Sequence, residues 1–100
     1  MSTEQILEPD LPIVDPHHHL WDRPTEVLKN LPPLEHGFMD IIREVPRYLL
    51  DELLADLKSG HNVKGTIYME CGAMYRADGP ELLRCVGETE FVNGIAAMTA

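Results

Sequence analysis

Basic residues are scarce: eight lysines and arginines stand against seventeen aspartates and glutamates in 100 residues, for a formal net charge of -9. So acidic a chain repels nucleic acid and anionic membrane surfaces, and neither is expected as a partner. Cysteine is nearly absent. Cys71 and Cys85 are too few for a disulfide framework and lack the C-x-x-C spacing of a zinc or redox site, which fits reduced thiols in a cytoplasmic protein. No long apolar run occurs, and the start Met1-Ser2-Thr3-Glu4-Gln5-Ile6 is not basic, so neither a membrane span nor a secretory signal is indicated. Internal repeats and a phosphate-cradling glycine fingerprint are also missing.

What the chain does have is Ile13-Val14-Asp15-Pro16-His17-His18-His19-Leu20-Trp21-Asp22, two apolar residues running into a dense set of metal-ligand side chains. The apolar start predicts a short buried strand, with Pro16 interrupting its donor pattern where it should end. Side chains at i and i+2 of an extended chain share a face. His17 and His19 can therefore meet one divalent ion, while His18 turns away. From spacing alone, a solvated histidine loop competes evenly with a metal site. Asp15 and Asp22 are candidates to brace the ligands.

This stretch resembles the D-x-H-x-H first-strand signature of the amidohydrolase superfamily, and its Asp15–Asp22 run resembles the amidohydrolase-2 branch most. The resemblance implies a (β/α)8 barrel with His17 and His19 on the first strand as metal ligands, zinc first and manganese as the alternative, although some relatives lack a metal. It further implies a metal-dependent hydrolase acting on a lactone or related carboxylic ester through a metal-activated water. The runner-up is a non-oxidative decarboxylase of the same superfamily. Later ligands of the family have no counterpart on this chain, and no catalytic acid or base is assigned.

The remaining pattern fits an α/β organisation. Leu49, Leu50, Leu53, Leu54 and Leu57 form one apolar stripe of a helix expected from Pro46 to Lys58, with Ser59-Gly60-His61-Asn62 as its stop. Val63 to Gly72 reads as a second strand, β-branched and aromatic in its middle. Strand, loop, helix and strand make a βαβ unit, whose two strands must be parallel. Its polar residues then emerge at the histidine end of the sheet. Among them Arg76 and Tyr75 are candidate grips for an anionic substrate, and Glu70 is a candidate partner for a metal histidine. Cys71 reads as an inert small side chain. The prolines of Trp21 to Gly37 predict a long irregular loop over the barrel mouth, with His36 in it. Glu81 to Arg84 suggests a turn or two of helix, and Gly87 onward a second main helix with acidic residues in its first turn.

A complete barrel needs about 250 residues. One hundred residues hold about two βα units, so residues 1–100 are expected to be the N-terminal portion of such a barrel, inactive alone. A non-catalytic binding module is the competing reading, and oligomeric state is open.

Overall fold

A computed structural model describes residues 4–29, 41 and 43–99 of the chain. Two seven-residue strands form its centre: β1, Pro12–His18, and β4, Asn62–Tyr68. They pair in parallel, from Pro12 opposite Asn62 to His18 opposite Tyr68. The amide of Met69 adds one more rung by donating to the His18 carbonyl at 2.9 Å. Between them, β2 (Trp21–Asp22) pairs antiparallel with β3 (Arg47–Tyr48). Also described are three α-helices, α1 (Thr25–Lys29), α2 (Leu50–Leu57) and α3 (Val86–Met98), and a 3-10 turn at Glu81–Leu83.

Pro16 does not end the first strand, contrary to the sequence expectation. β1 runs through it to His18, but the register slips between Asp15 and His18, where three steps along β1 match two along β4. A bulge of this kind accommodates a residue that cannot donate to the ladder. The expected buried strand is also only half buried. Ile13, Asp15 and His18 are partly covered, whereas Val14 is 60% exposed and Ile67 on β4 is 51% exposed. One face of the sheet looks across an open cleft to α2 and α3. Among the described residues, no helix covers the other, which carries Val14 and Ile67.

The leucine helix is shorter than its sequence pattern, starting at Leu50 and not at Pro46. Pro46 instead gives its carbonyl to the Arg23 amide at 2.7 Å, and the next two residues are spent on β3. Leu49 has no side-chain acceptor with which to cap the helix. Glu52 supplies the other half of the device, accepting the Leu49 N–H at 3.1 Å. Its own N–H, then that bond, lower the Glu52 carboxyl pKa, with Arg47 adding at 2.6 Å. Glu81–Leu83 is a single 3-10 turn, and α3 begins at Val86, one residue before the glycine expected to open it.

Among the described residues, Leu20, Leu28 and Leu53 are the buried apolar side chains. Leu20 is 1% exposed, and burying a leucine contributes about 1.5–3 kcal/mol. Elsewhere the packing is open. Leu50, Leu53, Leu57, Val63, Val92 and Ile95 help line a cleft of about 370 Å³ between α2, α3 and the sheet. The Cα radius of gyration is 16.4 Å, against about 13 Å for a compact domain of 100 residues. The proline-rich stretch at 31–37, with His36, lies outside the described residues. No helix among the described residues is long and apolar enough to cross a membrane.

Candidate metal centre

The carboxyl ends of β1 and β4 lie side by side, and this is where the histidines stand. The Asp15 carboxylate accepts the backbone N–H of His17 at 3.1 Å, a local turn spanning Pro16 at the bulge. Beyond it the alternation resumes with His17 and His19 together and His18 opposite. The rings of His17 and His19 meet edge to face with centroids 4.7 Å apart. Their Nε2 atoms are 3.0 Å apart. His18 is half-buried behind the strand, edge-on to Tyr68 at 5.4 Å, and burial pulls its pKa down.

His19 is oriented by the neighbouring strand. Its Nδ1 lies 2.8 Å from the Met69 carbonyl oxygen, just past the end of β4. A carbonyl only accepts, so the proton is on Nδ1 and the neutral ring presents a lone pair at Nε2. His17 then donates its Nε2 proton across the 3.0 Å gap. A metal-ligating histidine usually has one nitrogen tied to a carbonyl in this way and coordinates through the other, which here accepts from His17. The spacing fits as well. With metal–nitrogen bonds of about 2.1 Å, two nitrogens 3.0 Å apart can touch one ion. Coordination by His17 Nε2 would require its proton to shift to Nδ1, a change of tautomer, and protonation of either ring would oppose binding. No cluster of three or more potential ligands occurs among the described residues.

The other expected site residues have different partners. Glu70 does not brace a histidine: it accepts the Tyr75 hydroxyl at 3.0 Å, which raises the Tyr75 pKa, and the brace on His19 comes from the Met69 backbone. Arg76 pairs with neither Asp78 nor Glu70. Its Nε and Nη2 both reach Glu90 Oε1 on α3, at 2.7 and 2.6 Å. Asp22 is exposed opposite Arg47 in the β2–β3 ladder, and no hydrogen bond links it to either histidine. Of the expected second set, only Asp15 acts directly on the histidine segment.

The residue that sequence reasoning missed is Glu88. In the sequence it is one acid among several in a helix's first turn, but in the fold it is 3% exposed. Its Oε2 accepts from the Tyr68 hydroxyl at 2.6 Å, the Cys71 N–H at 3.0 Å and the Ala73 N–H at 3.3 Å. Burial works against its charge, yet these donors outweigh it and hold the carboxyl below its ordinary value. The Tyr68 hydroxyl, 3.3 Å from the Leu20 carbonyl, has its pKa driven far up, first by burial and then by Glu88. Burial also raises the pKa of the Cys71 thiol, so it is a poor nucleophile at neutral pH. An open cleft of about 300 Å³ lies alongside, lined in part by Tyr68, Glu70, Cys85 and Glu88.

A hint of this burial lay in Gly87. A Cβ there would lie 2.5 Å from the Met74 oxygen and 2.7 Å from the Arg76 nitrogen. The loop backbone therefore rests directly on the first turn of α3. Gly72, with φ +77, makes the left-handed turn between the two amides that reach Glu88.

No family model matches the chain, and no solved structure matches it significantly. The chain is 31% identical over 91 residues, 87% of its own length, to an uncharacterized protein, y4mH, of Sinorhizobium fredii. It spans 27% of that protein's length.

Proposed function

We propose that this chain contributes the first two ligands of a divalent-metal centre in a hydrolase of the amidohydrolase-2 type. The reading rests on one observation: two imidazole nitrogens 3.0 Å apart at the end of a parallel strand, one ring held in its coordinating tautomer by a backbone carbonyl. The resemblance of the Asp15–Asp22 segment to the amidohydrolase first strand supports it. The parallel β1–β4 pair is compatible with the opening of a (β/α) barrel, in which the face carrying Val14 and Ile67 would be the inward one.

His17 and His19 would hold the ion, with zinc the first candidate. Bound there, a divalent cation supplies a Lewis acid for a carbonyl oxygen and lowers the pKa of water. The protein's own contribution is orientation. Asp15 holds the His17 backbone, and Met69 sets the tautomer of His19. The substrate class that fits this chemistry is a lactone or related carboxylic ester.

Metal content by elemental analysis, with turnover of a lactone panel, tests the reading in the intact protein. His17→Ala and His19→Ala should each lose most of the metal and the activity. His18→Asn should keep the metal and lose only some stability. Full occupancy in both alanine variants would end the proposal.

A further inference from the structure

We infer that Glu88 is a positioning residue for the histidine pair, acting through Tyr68 and the backbone after β4 to keep the Met69 carbonyl on His19. The inference rests on the reading of His17 and His19 as ligands, and it deepens that reading by naming what holds the coordinating tautomer in place. Two connections meet at the buried carboxylate. Beyond β4, Glu88 Oε2 accepts the Cys71 amide at 3.0 Å and the Ala73 amide at 3.3 Å. These bonds secure the backbone two residues after Met69, whose carbonyl lies 2.8 Å from His19 Nδ1. Across to β1, the same oxygen accepts the Tyr68 hydroxyl at 2.6 Å, which uses that group's one proton and leaves the Leu20 carbonyl, one residue beyond His19 and 3.3 Å from the hydroxyl, to another donor. Cys71 Sγ approaches the same carbonyl at 3.4 Å.

His19 is thus bracketed. The residue after it is tied to the Cys71 thiol, its ring is tied to Met69, and both ties lead to the backbone that Glu88 holds. A charged acceptor suits the task, because its hydrogen bonds are about twice as strong as those of a neutral one. Burial keeps water from competing for the donors. Its position in the first turn of α3 couples the helix to the strand ends, and the absence of a Cβ at Gly87 lets the loop lie close enough for the bonds to form.

Tyr68→Phe and Glu88→Gln test this in the intact protein. The first removes one hydroxyl with little change of shape, and the second keeps an acceptor but removes the charge. Leu53→Ala, on α2 and outside the network, is the control for lost stability. Three quantities are read: the His19 tautomer by nitrogen NMR without metal, exchange protection of the Cys71 and Ala73 amides, and affinity for zinc alone. Both variants should reduce the Nδ1-protonated population of His19 and the protection of the two amides, and should weaken zinc about tenfold, the low end for removing support from a metal ligand. Leu53→Ala should leave the tautomer unchanged. Unchanged tautomer and protection in both variants would overturn the inference, as would an equal tautomer change in Leu53→Ala. If the unmodified protein binds no zinc, the metal reading fails, and the metal-free NMR and exchange results still decide the role of Glu88.

Discussion

Two loops leave the strand ends that carry the histidines, and they are secured by opposite means. The loop after β4 converges on one buried carboxylate, Glu88, which serves three donors at a single oxygen. The segment after β1 is fastened at the surface by several separate contacts. Trp21 stacks on Tyr48 with centroids 5.1 Å apart and donates its indole N–H to the Val45 carbonyl at 2.7 Å. The Arg23 guanidinium lies over the Trp21 ring, Arg47 pairs with Glu52, and the Tyr48 hydroxyl donates to Asp56. Concentrated and buried, the first arrangement should fail all at once; distributed and wet, the second should lose its parts one at a time.

The largest effect is expected from Glu88→Ala. It takes the charged acceptor from the half-buried Cys71 and Ala73 amides and Tyr68 hydroxyl; with each lost acceptor costing about 1–3 kcal/mol at most, a total loss of about 3 kcal/mol is expected in urea unfolding. Acid should reveal the same contribution. The folded carboxyl titrates below its ordinary 4.5, so its stabilisation is complete above that pH and disappears as pH falls through the folded pKa. An alanine variant that kept the same acid dependence would mean that Glu88 is not the group responsible.

Gly87→Ala comes next. Alanine is the better helix former by roughly 1 kcal/mol, but its Cβ would press on the backbone of Met74 and Arg76, which has no rotamer to yield. Overpacking costs about 1–3 kcal/mol, so net destabilisation is expected, together with lost exchange protection at Cys71 and Ala73. A stabilised variant would show that the loop can lift away freely.

The smallest effect belongs to Arg47→Ala. The Arg47 and Glu52 side chains are 50% and 32% exposed, and an exposed ion pair is screened by water and salt. The melting temperature should scarcely change, and high salt should erase what difference there is. A loss as large as that of Glu88→Ala would erase the distinction between the two loops.

Much of this was legible locally. Period-two placement put His17 and His19 together and His18 behind, because an extended backbone alternates its side chains wherever it lies. The spacing of Leu50, Leu53, Leu54 and Leu57 marked α2, and the element order required β1 and β4 to be parallel. Those inferences need only the chain's own geometry. Tertiary structure decided matters that depend on distant partners. The bulge at Pro16 is a relation between two strands, and the late start of α2 follows from Arg47 and Tyr48 pairing with residues 21 and 22. Arg76 had acids nearby in sequence, yet Glu90 holds it, since an ion pair follows distance in space. Met69, unremarkable as a side chain, orients His19 through a carbonyl that every residue possesses. Glu88 looks like any solvated acid of a helix's first turn; only the packing of α3 against the strand ends buries it and brings its three donors to one oxygen.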